Sequence, residues 1–203
     1  MPDFVTPTMI LAAWALAGYL LGSIPFGIVV ARLMGLGDLR QIGSGNIGAT
    51  NVLRTGSKPG AALTLIADAG KAGAAVLLAR ALVADDAAQL AGLAAFFGHC
   101  YPIWLKFRGG KGVSTFFGLL FALAWPIGLA AGATWLIVAA IFRYSSLAAL
   151  VTATLTPLFM IILSQSQLLT LSIALTLLIF WRHKENISRL VRLQESKIGK
   201  NNF

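Results

Sequence analysis

The sequence predicts an all-α integral membrane protein of about seven transmembrane helices, two of them short. Three observations carry that prediction. Hydrophobic residues fill 58% of the 203 positions and charged residues only 11%, against roughly 25% charged in a soluble domain. The mean hydropathy is +0.82, which is more apolar surface than one soluble core could bury. The apolar residues also fall in runs long enough to cross a hydrocarbon layer of about 30 Å, which takes roughly 20 helical residues. Those runs leave no room for a separate soluble domain. One membrane-embedded domain over 1–203 is expected, with its loops carrying the polar chemistry.

The runs cover residues 8–33, 60–83, 87–105, 113–142, 145–163 and 166–181. The first follows a segment without the basic n-region of a cleaved signal and is too long for a signal h-region, so it is expected to stay as helix one. Residues 113–142 carry no charge and would make about 45 Å as a single helix. Trp125-Pro126 near their middle supplies a break, because proline lacks an N–H and disfavours helix at the residue before it. Seven spans result. Of the 16 lysines and arginines, all but Lys71 and Arg80 then fall on one side, with Lys200 of the tail among them. Cytoplasmic loops are enriched in such residues, which puts the N-terminus outside and the C-terminus in the cytoplasm. The same topology accounts for most of the +9 net charge, so basicity is no argument for a nucleic-acid partner. Cys100, the single cysteine, excludes an internal disulfide framework and reads as packing.

Topology does not explain the residue choice within the inside segments. Gly43-Ser44-Gly45-Asn46-Ile47-Gly48-Ala49-Thr50-Asn51-Val52-Leu53-Arg54 matches G-x-G-x-x-G at Gly43, Gly45 and Gly48. The dinucleotide fingerprint requires a preceding strand in a βαβ unit, whereas this segment follows a membrane helix, so that reading is rejected. Its physical content survives. Glycines let backbone approach a ligand closely, and successive N–H groups form anion-binding nests. Ser44, Asn46, Thr50 and Asn51 add donors, and Arg54 adds a fork suited to phosphate. A plain flexible loop, the blander reading, has little use for this density of Asn, Thr and Arg.

Lys58-Pro59-Gly60 opens the second run, which carries Asp68 and Lys71 inside it. Ionisable residues at that depth cost roughly 2.5 to 3.5 kcal/mol each and by default mark function. Their i, i+3 spacing puts them on one helix face, so a self-neutralising structural pair is the competing reading, and both can hold. Further on, Gly98-His99-Cys100-Tyr101-Pro102 precedes Lys106-Phe107-Arg108-Gly109-Gly110-Lys111-Gly112-Val113-Ser114-Thr115. A P-loop needs Gly-Lys-Ser/Thr after a strand, which this lacks. Lys111 reads instead as a cation on a glycine-hinged turn at a helix N-terminus, where dipole and free N–H groups favour anions. His99 and Cys100 are adjacent and diverge on a helix, so they do not read as base and nucleophile. In the tail, Arg182-His183-Lys184-Glu185-Asn186-Ile187-Ser188-Arg189-Leu190 sets His183 and Asn186 at i, i+3. Arg189 and Arg192 also suit a basic amphipathic tail on anionic lipid. Two histidines and scattered carboxylates lack metal-ligand spacing, so no metal or cofactor is expected.

Together these segments resemble the acyl-phosphate:glycerol-3-phosphate acyltransferases of bacterial membranes, over nearly the whole chain. Gly43 to Arg54 is similar to the family's first motif, Lys58-Pro59-Gly60 with Asp68 and Lys71 to its second, and Gly98-His99 through Pro102 to Phe107 and Gly109 to Val113 to its third. The Arg182-His183 to Leu190 tail is similar to the family's ending. Departures are small. Ala72 and then Gly73 stand where the family usually has glycine directly after the lysine, Ser114 stands where alanine is commoner, and Val191-Arg192-Leu193-Gln194 lacks a glycine often found there.

The resemblance implies transfer of a fatty acyl group from acyl phosphate to the sn-1 hydroxyl of glycerol 3-phosphate, giving lysophosphatidic acid and phosphate, the first acylation of phospholipid synthesis. It also implies a multi-pass protein of the bacterial cytoplasmic (inner) membrane with its site on the cytoplasmic face. Its partners would be the two substrates, membrane lipid and, transiently, the soluble enzyme that makes acyl phosphate. Both substrates are anionic and the donor is an activated anhydride, so the protein needs positioning and charge neutralisation more than a strong nucleophile. Ser44, Lys111 and His183 are the candidate catalytic residues. Gly43, Gly45, Asn46, Gly48, Thr50, Asn51, Arg54, Lys58, Asp68, Lys71, Gly109, Gly110, Ser145 and Asn186 are the candidate substrate-binding residues. Direct attack by the glycerol hydroxyl is the expected mechanism. His183, with an ordinary pKa near 6.5, is expected to act mainly by phosphate contact or orientation, since the substrate phosphate could take the proton itself. A transporter for phosphorylated metabolites, with Asp68 and Lys71 lining its path, is the competing class, but the two halves lack the repeat it would favour. A non-catalytic lipid-binding protein would not require three phosphate-suited segments.

Overall fold

The computed structural model describes residues 3–199, which form helices and no strands. Lys200 lies outside the described residues. The first apolar run is two helices, α1 (Thr8–Gly22) and α2 (Phe26–Leu33), not one. Pro25 is the cause: it cannot donate into the helix, and the chain breaks over Ser23-Ile24-Pro25. Such a break inside an apolar layer leaves backbone groups that must find other partners. Lys71 Nζ supplies one by donating to Ile24 O at 2.7 Å.

A polar loop holding the short helix α3 (Ala49–Leu53) leads to α4 (Lys58–Leu82), 25 residues long. Ser57 caps α4 by accepting from the Gly60 N–H, and Pro59 sits in its first turn, where no N–H is needed. Next comes α5 (Asp85–Cys100), which ends before the apolar run does. Tyr101-Pro102 stops it, and Ile103–Leu105 forms a 3-10 turn. The uncharged 113–142 stretch divides as expected into α6 (Val113–Leu123) and α7 (Trp125–Phe142), hinged at Ala124 with Pro126 in the first turn of α7. Pro157 lies inside α8 (Ser145–Ile162) without ending it. The Ala153 carbonyl that it strips of a partner accepts from Thr176 Oγ1, 2.8 Å away on α9 (Leu169–Arg182). The described chain closes with α10 (Lys184–Val191) and a short tail.

Among the described residues, four segments are long and apolar enough to cross a membrane: Thr8–Leu33, Lys58–Leu82, Trp125–Phe142 and Ser145–Ile162. Val113–Leu123 and Ser166–Arg182 are apolar but shorter.

Small residues let these helices approach closely, as lipid-embedded packing requires. A Cβ on Gly18 or Gly22 would lie 2.3 or 2.0 Å from the carbonyl oxygens of Ala91 and Ala95, so α1 rests on the α5 backbone. Likewise a Cβ on Gly118 would lie 1.9 Å from Ala69 O, which seats α6 on α4. α6 also packs on α7, while α4 and α7 make no substantial contact with each other. A groove therefore runs between α4 and α7 with α6 as its floor. At one end of the bundle Asp86 holds the N-terminal segment, accepting from the Val5 and Thr6 N–H groups and from Thr6 Oγ1. All the polar loops singled out in the sequence gather at the other end.

Candidate active site

The loop after α2 is shaped by glycines at positive φ, Gly43 (+53°) and Gly45 (+65°), where a side chain would be strained. At Gly43 a Cβ would also meet Arg54 Cδ at 2.6 Å and Asn51 Oδ1 at 2.7 Å. Asn51 organises this loop from inside. Its Nδ2 donates to Leu39 O at 2.8 Å, and its Oδ1 accepts from the Ser44 N–H at 3.1 Å and from Arg54 Nη1 at 3.3 Å. The buried Asn51 amide is thus committed to holding Ser44 and Arg54 in place.

Lys111 is delivered by the turn before α6. Arg182 clamps that turn, donating from Nη2 to Gly109 O and from Nε to Gly110 O, and its guanidinium lies 4.9 Å from the centroid of the Tyr101 ring. Gly109 and Gly110 are needed because His99 lies directly beneath: a Cβ would come within 2.2 Å of His99 O in one case and of His99 Nε2 in the other. His99 in turn rests on the buried pair. Lys71 Nζ is 2.7 Å from Asp68 Oδ1 and 3.0 Å from His99 Nδ1. Asp68 and Lys71 therefore support the Lys111 turn from below and are not in the wall of the cavity that the loops enclose.

These loops enclose the polar end of a cavity of about 550 Å³. Ser44, Asn46, Gly48, Thr50, Asn51, Arg54, Lys111, Ser145, His183 and Asn186 line it, so ten of the seventeen candidate residues meet at one place. Thr50 Oγ1 and Ser145 Oγ are 3.1 Å apart, tying the first loop to the start of α8. Lys111 Nζ donates to Asn186 Oδ1 at 2.5 Å. Gly43, Gly45, Gly109 and Gly110 shape the loops behind the wall, and Lys58 is exposed at the start of α4. The cavity continues as the α4–α6–α7 groove, lined by Leu65, Ile66, Phe117, Phe121 and Leu136 among others. Ile66 is 67% and Leu136 64% exposed, so the groove opens sideways on the apolar flank of the bundle.

Polar residues outside the candidate set complete this end: His99, Ser114, Ser146 and Glu195 also line it, and Ser196 stands behind Arg54. Glu195 Oε1 accepts from Asn186 Nδ2 at 2.7 Å and Ser146 Oγ at 3.0 Å, and its Oε2 accepts from Arg189 Nε at 2.7 Å. Burial opposes its ionisation, yet these donors outweigh burial and hold the carboxyl below the ordinary range. Ser196 Oγ accepts from Arg54 Nη2 at 2.6 Å. Glu195 is one of two carboxylates in a basic tail, the other being Glu185, and that was the available sequence signal for it; nothing local marked Ser196.

The electrostatics favour an anion. Burial first, and then the positive Arg189, push the Lys111 ammonium down to about 8, with Glu195 and Glu185 pulling the other way. The His183 imidazole is lowered to about 4, chiefly by burial, although its contact with Ile179 O pulls upward. It is therefore neutral near pH 7. A carbonyl only accepts, so the 2.8 Å contact between Nδ1 and Ile179 O puts the proton on Nδ1 and leaves Nε2 as an acceptor. Such a ring can accept a hydrogen bond from a hydroxyl through Nε2. Among the described residues no activated nucleophile accompanies it. Ser44 Oγ has the neutral Asn51 Oδ1 as its partner at 3.4 Å, and Cys100 is buried away from the cavity.

Comparison with known proteins agrees with this geometry. The family model described as Glycerol-3-phosphate acyltransferase matches residues 12–193. Glycerol-3-phosphate acyltransferases of Dinoroseobacter shibae and Jannaschia sp. are 61% and 62% identical over 199 and 200 residues, each alignment covering 98% of both chains. Among solved structures, PlsY, an integral membrane glycerol 3-phosphate acyltransferase, superposes in its glycerol 3-phosphate form with a TM-score of 0.88 at 38% identity, covering 93% of this chain and 96% of that one. Its lysophosphatidic acid form superposes with a TM-score of 0.84 at 35% identity, covering 93% and 95%. Matched along nearly its whole length in both sequence and backbone, this integral membrane chain is an acyltransferase and belongs to the glycerol-3-phosphate acyltransferase family.

Proposed function

We propose that the protein transfers a fatty acyl group from acyl phosphate to the sn-1 hydroxyl of glycerol 3-phosphate, releasing 1-acyl-glycerol 3-phosphate (lysophosphatidic acid) and inorganic phosphate. The observation that carries this reading is the single cavity joining an end lined with cations and hydroxyls to an apolar groove open on the flank. Two anionic heads fit the first part and an alkyl chain fits the second. The glycerol 3-phosphate and lysophosphatidic acid forms of the solved relative lend support by analogy.

In the proposed step the glycerol hydroxyl oxygen attacks the acyl carbonyl carbon. The new ester C–O bond forms, the anhydride C–O bond breaks, and the phosphate leaves with that electron pair. The hydroxyl proton ends on the phosphate, whose second pKa of about 6 suits it to take one. Arg54, Ser44, Asn46, Thr50 and Ser145 bind the phosphates, and Lys111 offsets charge developing on the departing one. His183 Nε2 accepts from the attacking hydroxyl and aims it. Rate enhancement then comes from orientation and preset charge, without a covalent intermediate.

The whole chain acts as one membrane domain in this reading. It crosses seven times, with the broken α1–α2 pair as the first span, in a bacterial inner membrane. The N-terminus lies outside and the site on the cytoplasmic side, which the lysine and arginine distribution supports. Purified protein given palmitoyl phosphate and radiolabelled glycerol 3-phosphate is expected to make labelled lysophosphatidic acid, and Lys111→Ala to stop it. Label accumulating inside sealed vesicles with no ester formed would overturn the proposal.

A further inference from the structure

We infer that Gly132 of α7 sets the acyl-chain length that the groove accepts. The inference rests on the acyl-phosphate reading above. Gly132, Trp135 and Leu136 all line the cavity, and their i, i+3, i+4 spacing puts them on one face of α7. Other glycines near the groove have packing reasons to lack a side chain. A Cβ on Gly118 would strike the α4 backbone, and a Cβ on Gly128 would meet the Phe121 ring at 2.7 Å. Gly132 has no such reason: a Cβ there meets nothing within 4 Å. It lies inside a regular helix, where glycine is less stable than alanine. What its missing side chain leaves is width in the groove.

Its depth gives the width a meaning. Phe142, at the far end of α7, adjoins the Ser145 end of the cavity. From there to Gly132 is about 15 Å of helix rise. An extended alkyl chain with bonds of about 1.5 Å at about 111° advances about 1.25 Å per carbon. A chain whose head lies at the polar end therefore passes Gly132 at roughly its twelfth carbon. Decanoyl chains stop short of it, and palmitoyl chains must run past it.

The test compares kcat/KM for palmitoyl and decanoyl phosphate in the full-length enzyme and in Gly132→Ala and Gly132→Leu. The palmitoyl-to-decanoyl ratio is expected to fall as the side chain grows, by about tenfold or more for leucine, the scale of steric discrimination in an apolar pocket. Gly132→Ala, whose methyl enters open space, guards against a leucine variant that fails to fold. A ratio that stays at the wild-type value, whether both rates fall together or neither moves, overturns the inference and leaves the acyl-phosphate reading intact. A wild-type enzyme that uses neither donor overturns that reading, and this inference with it.

Discussion

Replacing Lys111 with methionine is expected to abolish acyl transfer and yet raise the melting temperature near neutral pH. Lys111 keeps its charge at a cost. The drop from the ordinary 10.5 to about 8 corresponds to about 3 kcal/mol, at about 1.36 kcal/mol for each tenfold change in proton affinity. The unfolded chain holds that proton up to about 10.5 and the native site releases it near 8. Native protein thus binds fewer protons in between, and stability rises with pH through that window. Below it the full cost stands until an anion binds. Methionine removes the charge while keeping much of the volume, and it forfeits the hydrogen bond to Asn186, which is worth about 1.5 to 3 kcal/mol. The net gain is about 1 kcal/mol, or roughly 2 to 4 °C for a chain of this size.

Thermal unfolding in detergent, followed at about pH 7 and about pH 10, checks this. The variant should melt higher at the lower pH and lose that advantage at the higher one, where wild-type Lys111 is already neutral. In parallel, wild-type kcat/KM should decline as pH rises through about 8, because the ammonium that meets phosphate is being lost. A variant that melts lower than wild type by the same margin at both pH values would refute the reasoning.

His183→Gln should reduce kcat more than it raises KM for glycerol 3-phosphate, and the inflection at about pH 6 that the substrate phosphate imposes should stand at the same pH in wild type and variant, since the ring titrates near 4; steady-state kinetics from about pH 5 to pH 8 decide it. Asp68→Asn leaves Lys71 buried without its carboxylate, a loss of about 3 to 5 kcal/mol, so the variant should melt well below wild type in detergent. Gly118→Leu forces α6 off the Ala69 carbonyl and should lower both melting temperature and turnover; overpacking of this kind costs about 1 to 3 kcal/mol or more, and unchanged values would contradict the close α4–α6 contact.

Much of this was legible in the sequence because it rests on local rules. Proline forecast the Trp125-Pro126 division, and residue types together with the family resemblance brought Ser44, Arg54, Lys111, His183 and Asn186 together as candidates. The same rule applied at Pro25 would have split the first run, and at Pro102 would have ended α5 early; length and hydropathy alone made both runs look unbroken. Pro157 shows the rule's converse, since its orphaned Ala153 carbonyl is answered by Thr176 from another helix, a contact that no local pattern encodes. Direction was also illegible. Asn51 has donors suited to phosphate, but its amide turns inward to Leu39 O. Asp68 and Lys71, for which function and structure stood level, support the turn through His99. Glu195 and Ser196 act across long sequence separations from Ser146 and Arg54. The groove, too, exists only because α4 and α7 stand apart on α6.

The central claim is that two anionic substrates meet in this one cavity and react directly. Quantifying free phosphate and lysophosphatidic acid together, with purified enzyme and acyl phosphate in the presence and absence of glycerol 3-phosphate, tests it most directly. Equimolar release of both products, and of neither without glycerol 3-phosphate, is the predicted result. Stoichiometric phosphate release from acyl phosphate alone would signal an acyl-enzyme or a hydrolase and would contradict the account.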